Sequence, residues 1–113
     1  MTNHELMLGL PGEALLREGL ADVQSRRCTV PACLVSIAWS RLCYAGLIPG
    51  AVASSCPEPE RQLYHLLRQE GGDAYSRYNS LLRELMSFEQ ALDRRQSKIQ
   101  LSALDAARSP VVP

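Results

Sequence analysis

Apolar side chains recur at every third or fourth position along most of this chain, and no other feature limits its possible folds so strongly. This spacing puts apolar residues on one face of an α-helix, whereas a half-buried β-strand needs apolar and polar residues in alternation. The sequence has no sustained alternation, and it has no Asn-Gly or Asp-Gly pair of the kind that closes a β-hairpin. It therefore predicts an all-α fold.

The size and apolar content of the chain indicate one helical domain. The chain has 113 residues, of which 46% are hydrophobic, and folding at this size removes on the order of 12,000 Å² of surface from water. Such a chain does not need a disulfide or a metal ion to hold it together. We predict a single domain over residues 1–113, a compact bundle of about four helices in which the last helix is the longest.

Glycine and proline mark where the helices begin and end. Proline suits the first turn of a helix because no backbone hydrogen bond is lost there, and glycine suits the position just after the last turn. The second helix is apolar nearly all the way round, which is typical of a central helix covered on several sides. The predicted helices cover residues 11–26, 30–44, 59–70 and 74 onward.

Local signals identify individual helix ends. Thr29 is predicted to cap the second helix, because its hydroxyl can accept a hydrogen bond from an early backbone N–H. Asp73 is predicted to cap the last helix in the same way. Gly46 can take the left-handed conformation that ends the second helix, and Leu47 would then pack on Leu42.

The first helix is expected to carry two ion pairs on its outer side. Glu13 with Arg17, and Asp22 with Arg26, are four residues apart. Each such pair contributes only about 0.3–0.5 kcal/mol, so docking of the leucine stripe must supply most of the stability. Gly19 within this helix is expected to weaken it slightly.

Two stretches are expected to be less ordered than the helices. Residues 49–58 contain small residues and prolines without apolar periodicity, which predicts a mobile linker. After Arg95 the helical signal weakens, although Ile99, Ala103 and Ala106 keep helical spacing. We expect residues 96–113 to be either a frayed extension or a strip that needs a partner.

Charge and the first residues of the chain indicate a compartment. The 12 basic and 12 acidic residues cancel, which removes the usual electrostatic argument for a general nucleic-acid binder. The chain begins without a positively charged segment ahead of an apolar run, and so makes a poor signal peptide. The longest nearly apolar stretch, from Val30 to Trp39, is too short to cross a bilayer. We expect a cytoplasmic protein that does not enter membranes.

The four cysteines, at positions 28, 33, 43 and 56, form no Cys-x-x-Cys pair, and His4 and His65 lie far from them in sequence. No structural zinc site is expected from these spacings, and no cofactor is predicted. Thiols in a reducing cytosol mostly act as small buried hydrophobes. Cys33 and Cys43, in or beside the apolar second helix, are predicted to be core, and Cys56 in the linker is predicted to be exposed.

One side chain is a candidate reactive thiol. Cys28 follows Arg26 and Arg27 and precedes a helix N-terminus, and both features favour a thiolate. The alternative is that Cys28 packs under the turn between two helices. His65 is predicted to lie at the edge of a buried face and donate to a carbonyl rather than act as a general base. No phosphate-binding loop, zinc-protease motif or calcium loop is present, and we identify no catalytic residue, which makes an enzyme the less favoured interpretation.

We favour a non-catalytic protein-interaction module that pairs with itself or with another protein. A last helix that outruns the other three must fray or pair with a second chain. Tyr75 and Tyr78, three residues apart, could bind a ligand or partner, or could form the seam where two helices meet, with Tyr64 opposite them. The predicted homodimer interface consists of Tyr75, Tyr78, Leu85, Phe88 and Leu92.

Two alternatives stay open at this point. The first is a small regulatory nucleic-acid-binding protein that contacts phosphates through its last helix, with weak and strongly salt-dependent affinity. The second and weaker alternative is a thiol-based enzyme or redox protein built around Cys28 and His65. The phosphate-binding candidates for the first alternative are Arg77, Arg83, Arg94, Arg95 and Lys98.

Overall fold

The computed structural model describes residues 3–48, 54 and 56–108, and this part of the chain contains six α-helices and no β-strand. The prediction of an all-α bundle whose last helix is the longest is confirmed. None of these helices combines the length and apolar character that crossing a membrane requires. The helices are α1 (Asn3–Met7), α2 (Glu13–Gln24), α3 (Val30–Ile37), α4 (Trp39–Tyr44), α5 (Pro59–Glu70) and α6 (Ala74–Arg108).

Helix α3 lies at the centre of the bundle, as its apolar sequence predicts. Helices α2, α5 and α6 all pack against it, and four consecutive residues of α3 have no exposed surface. Because one helix supplies so much of the core, the other elements are arranged around it. The four residues are Ala32, Cys33, Leu34 and Val35.

Gly19 allows α2 and α3 to approach each other closely. A Cβ atom at this position would lie 2.4 Å from the carbonyl oxygen of Pro31 and 2.6 Å from Cγ2 of Val35. Both distances are shorter than a carbon atom can tolerate, and one of the two neighbours is backbone. The sequence indicates only that Gly19 weakens α2, whereas the structure shows that any larger residue would separate the two helices.

The short helix α1 is not foreseen in the sequence. Its residue Met7 is fully buried. The guanidinium of Arg95 in α6 donates hydrogen bonds to the carbonyl oxygens of Glu5 (3.3 Å), Leu6 (3.0 Å) and Leu8 (2.6 Å). A positive charge at a helix C-terminus is favourable, so Arg95 satisfies the end of α1 and holds it on α6.

The predicted helix over residues 30–44 begins and ends as expected but is interrupted in the middle. The Thr29 hydroxyl accepts from the Ala32 N–H at 3.2 Å and caps α3. Ala38 (φ −91°, ψ 16°) separates α3 from α4. Two residues earlier, the Ser36 hydroxyl donates to the Ala32 carbonyl oxygen at 2.9 Å, a bond that competes with the helical backbone and favours a bend.

The end of α4 has the predicted geometry. Gly46 has φ 77°, in the left-handed region that favours glycine. The N–H of Gly46 donates to the Cys43 carbonyl, and the N–H of Leu47 donates to the Leu42 carbonyl, both at 3.0 Å. Leu42 and Leu47 are both buried in the core, so this helix end also contributes to packing.

Of the two ion pairs predicted on α2, one is present and the other, Asp22 with Arg26, is replaced by different contacts. Glu13 pairs with Arg17 at 2.7 Å, as expected. Asp22, in contrast, is buried rather than on the outer side. Its carboxylate accepts from the Thr29 hydroxyl at 2.6 Å and pairs with Arg27 at 3.1 Å. The reason is that Arg26 takes a left-handed conformation (φ 59°) that ends α2 and turns the next residues back towards Asp22.

The two stretches expected to be less ordered lie partly outside the described residues. Residues 49–53 and 55 of the predicted mobile linker, and residues 109–113 of the predicted tail, lie outside the described residues. In the described part of the tail, α6 continues as helix to Arg108. We call residues 96–108 the distal segment of α6.

Candidate functional site

Three cysteine sulfur atoms converge where the α2–α3 junction meets the segment that leads into α5. Cys28 and Cys56 form a disulfide, with their Cα atoms 5.3 Å apart. The sulfur of Cys33 lies 3.8 Å from that of Cys28 and 3.7 Å from that of Cys56. All three sulfurs lie within 4.8 Å of one another, so they form one cluster, which we call the cysteine cluster.

Three different elements position these side chains. Cys28 lies in the α2–α3 junction, and Cys33 projects from α3 into the core. Cys56 is held by Ser54, whose hydroxyl donates to the Ser36 hydroxyl at 2.8 Å and accepts from the Cys56 N–H at 3.3 Å. Ser54 therefore lies against α3, and its bond to the Cys56 N–H helps to place Cys56 beside Cys28 and Cys33.

The cluster is shielded from solvent. Cys33 has no exposed surface and Cys56 is 2% exposed, whereas Cys28 is half-buried. Burial raises the pKa of the Cys33 thiol to about 11, because a thiolate is costly in an apolar environment. Cys33 is therefore a neutral thiol at physiological pH and a poor nucleophile.

The structure corrects two of the predicted cysteine environments. Cys33 is buried as predicted, but Cys56 is buried rather than exposed, because its segment folds back onto α3. Cys43 is exposed rather than core, since it lies on the outer side of the short helix α4. Cys28, the candidate reactive thiol, is bonded to Cys56. In the sequence, the five-residue spacing between Cys28 and Cys33 is the only sign that two of these cysteines lie close together. Nothing in the sequence near Cys56 predicts that it contacts them.

His65 is not a member of this cluster. Its side chain is exposed rather than half-buried, and Nε2 lies 3.2 Å from the Gln69 amide nitrogen on the next turn of α5. Among the residues that the structure describes, the group of potential metal ligands at this place consists of the three sulfurs. The predicted pairing of Cys28 with His65 is therefore replaced by the grouping of Cys28 with Cys33 and Cys56.

The predicted interface on α6 is largely inside the bundle. Leu85, Phe88 and Leu92 are buried among the helices of the same chain. The sequence pattern identifies an apolar face correctly, but the chain's own helices cover it, so a second chain is not needed to bury Phe88 and Leu92. These three side chains offer no surface to a partner.

The two tyrosines of the predicted interface face different surroundings. Tyr78 is half-buried, and its ring meets that of Tyr64 edge to face, with centroids 5.6 Å apart and planes at 81°. This is a common arrangement for packed aromatic rings, and it forms the seam between α5 and α6. Tyr75 is 67% exposed, so only Tyr75 of the pair is open to a partner.

The distal segment of α6 presents apolar side chains to solvent. Every side chain from Ser97 to Leu104 is exposed. The large apolar ones are Ile99 (37% exposed), Leu101 (62%) and Leu104 (55%). Leu101 and Leu104 are three residues apart and therefore neighbours on one face of the helix.

Three of the five candidate phosphate-binding residues make contacts within the chain. Arg95 is half-buried and bound to the carbonyls at the end of α1. Arg77 pairs with Glu70 of α5. Arg94, although exposed, donates to the Gln90 carbonyl within α6 at 3.4 Å. Arg83 and Lys98 are exposed.

An open groove of about 500 Å³ lies between α4 and α6. Arg41 of α4 pairs there with Glu89 at 3.0 Å and with Asp93. The pKa of Glu89 is raised, chiefly because burial disfavours its charged form; the charge of Arg41 partly offsets this, and the charge of Asp93 adds to it. We interpret this trio as an ion-pair link that holds α4 on α6.

Comparison with known proteins gives no relative, since no protein-family model, no curated protein and no solved structure matches the chain. Two features stand out from the rest of the described chain, namely the exposed apolar side chains of the distal segment and the cysteine cluster.

Proposed function

We propose that the protein is a non-catalytic helical association module of the cytoplasm, which pairs with a second copy of itself through the distal segment of α6. The observation that carries this proposal is the exposure of Leu101 and Leu104, at 62% and 55%, on adjacent turns of this segment. Two exposed leucines side by side form a contiguous apolar patch, and patches of this kind, when large enough, mark protein interaction sites.

The length of α6 supports the proposal. Its 35 residues correspond to a helix about 52 Å long, against roughly 18 Å for the 12-residue helix α5. Arg95 ties α6 to α1, and the side chains from Ser97 to Leu104 are exposed. Leu85, Leu92 and Ile99 follow one another at seven-residue spacing, and only the first two are buried. The apolar row that is core inside the bundle thus ends at the exposed Ile99, and Leu101 and Leu104 lie on the other side of the same exposed helix.

The charge of the segment favours a second copy as the partner. Between Gln96 and Leu104 the one charged residue is Lys98, so the surface offers little to a strongly charged partner. The chain has formal net charge zero, so overall charge does not oppose pairing of two copies. A two-fold axis would place Leu101 and Leu104 of one copy against the same residues of the other, which is the closed arrangement of most homodimers.

The exposed apolar area sets the strength of such a dimer. Leu101 and Leu104 are 62% and 55% exposed, which together amounts to roughly 1.2 aliphatic side chains, or about 2–3.5 kcal/mol of burial per chain. Two chains would gain about 4–7 kcal/mol, against a cost of about 4–15 kcal/mol for association. We therefore expect a weak dimer whose population depends on protein concentration.

Sedimentation equilibrium of the full chain, from low micromolar to millimolar protein, tests this proposal. We expect the average mass of the wild type to rise from monomer towards dimer, and the double variant Leu101→Glu/Leu104→Glu to stay monomeric with unchanged helical content. The matched control is Met86→Glu. Met86 is similarly exposed (57%) on the same helix, but it lies ahead of the distal segment, in the part of α6 that packs against the other helices. A wild type that stays monomeric, or a dimer lost in the control but not in the double variant, would overturn the proposal.

A further inference from the structure

We infer that Cys28, Cys33 and Cys56 form, in the reduced protein, a three-thiolate binding site for a thiophilic metal ion, with Zn²⁺ as the best fit. The site is independent of self-association, because the cysteine cluster lies at the α2–α3 junction and the proposed dimer contact lies on the distal segment of α6.

The distances between the sulfurs match those of a tetrahedral thiolate site. With a metal–sulfur bond of about 2.3 Å, two sulfurs of a tetrahedral zinc site lie roughly 3.8 Å apart. The sulfur of Cys33 already lies 3.8 Å from that of Cys28 and 3.7 Å from that of Cys56. Once the bond between Cys28 and Cys56 is reduced, these two sulfurs can separate to the same distance, because neither Cys28 nor Cys56 lies in a helix.

The surroundings suit a soft metal ion whose complex with the three thiolates carries a net negative charge. Three thiolates and Zn²⁺ together carry one negative charge, and the cluster lies beside the N-terminal end of α3, where the helix dipole favours an anion. Cys33 and Cys56 are buried, so the ion would be held mostly inside the protein rather than at the surface. Sulfur ligands select Zn²⁺ or Cu⁺ over Mg²⁺ or Ca²⁺.

The described residues supply three ligands and leave the fourth position open. An open position is typical of zinc sites that bind water or a small ligand, whereas purely structural sites are closed by four protein ligands. Cys28 is the half-buried member of the cluster, so solvent reaches the site from its side. We expect water or a small thiol in the fourth position.

Metal binding and disulfide formation exclude each other at this site. Reduction by a dithiol transfers two electrons and two protons to the bond between Cys28 and Cys56, gives two protein thiols and converts the reductant to a disulfide. Binding of Zn²⁺ to the three thiols then forms three metal–sulfur bonds and releases three protons to solvent. The oxidised protein retains only the Cys33 thiol in the cluster and should not hold the ion.

Titration of the reduced full-length protein with Co²⁺, which replaces Zn²⁺ and absorbs visible light when thiolates surround it tetrahedrally, tests the site. We expect one Co²⁺ per chain, a sulfur-to-cobalt charge-transfer band, and loss of both signals on addition of Zn²⁺. The oxidised protein should show neither signal. A reduced wild type without these bands, or equal binding by the oxidised protein, would overturn the inference.

Single substitutions separate the cluster from the remaining cysteine. Cys33→Ser and Cys56→Ser should each weaken Co²⁺ binding at least about a hundredfold, since even outer partners of metal ligands contribute 10–100-fold. Cys43→Ser is the matched control, because Cys43 is exposed and outside the cluster, and it should bind as the wild type does. If Cys33→Ser fails to fold, as circular dichroism would show, Cys56→Ser decides the question. Unchanged binding by a folded cluster variant would refute the site.

Discussion

Replacing Gly19 by alanine tests the close packing of α2 on α3, because close packing and helix propensity predict changes of opposite sign in the free energy of unfolding. In an exposed helix the change from glycine to alanine stabilises by about 1 kcal/mol. Here the added Cβ would lie 2.4 Å from the Pro31 carbonyl oxygen, 2.8 Å from the Pro31 carbonyl carbon and 2.6 Å from Cγ2 of Val35. Because two of these atoms are backbone, no side-chain rotation can relieve the contact, and α3 must move away.

The expected size of the effect follows from these two opposing terms. Overpacking costs about 1–3 kcal/mol, and contacts this short with backbone atoms lie at the upper end of that range. After subtraction of the helix-propensity gain, we expect Gly19→Ala to lower the free energy of unfolding by about 1–2 kcal/mol. For a domain of this size that corresponds to a decrease in Tm of roughly 4–8 °C.

Thermal and urea unfolding followed by circular dichroism provide the measurement. Ala21→Gly is the control, because Ala21 is exposed in the same helix and its replacement should cost only the propensity difference of about 1 kcal/mol. An increase in the stability of Gly19→Ala, which propensity alone predicts, would refute the close approach of α2 and α3.

Three further predictions concern the core, a helix cap and the thiols. Phe88→Ala should cost about 3–5 kcal/mol of unfolding free energy because Phe88 is fully buried, whereas exposed Met86→Ala should be nearly neutral; similar losses for both would contradict the packing of α6. Asp73 accepts from the N–H and hydroxyl of Ser76, which lowers its pKa. Its contribution is therefore present above the carboxyl's unfolded pKa and lost as pH falls through the lower folded pKa, so Asp73→Ala should reduce Tm at neutral pH and not in strong acid, and a pH-independent loss would contradict the cap. In the folded, reduced protein an alkylating reagent should modify Cys43 quickly and Cys33 only after unfolding, and equal rates by mass spectrometry would contradict their placement.

Helix ends could be predicted from the sequence because they depend on residues close to one another in the chain. Thr29 caps α3 through a bond to a residue three positions later, and Gly46 ends α4 through bonds within five residues. Helix α1 has no such local signal. It has five residues, and the hydrogen bonds that hold its end come from Arg95, which is 90 positions from Glu5.

The burial of α6 was only half predictable. Spacing identifies Leu85, Phe88 and Leu92 as one apolar face, but periodicity does not tell which surface will cover that face. In the folded chain it is covered by the same chain's helices. In the row of residues that contains Leu85 and Leu92, the first exposed residue is Ile99, one heptad later.

The cysteine cluster could not be predicted from spacing. Cys33 and Cys56 are 23 residues apart, and their contact depends on the path of the segment ahead of α5, which the hydroxyl pair of Ser54 and Ser36 helps to fix. Gly19 illustrates the same limit, since its importance comes from the Pro31 carbonyl of another helix and not from α2 itself.

Amide hydrogen exchange of the full chain at low and high protein concentration tests most directly whether a second copy covers the distal segment of α6. The proposed pairing predicts that exchange slows with concentration in peptides from residues 96–108, while peptides from α2, α3 and α5 exchange at unchanged rates. Exchange in residues 96–108 that does not depend on concentration, or concentration-dependent protection confined to the bundle, would contradict it.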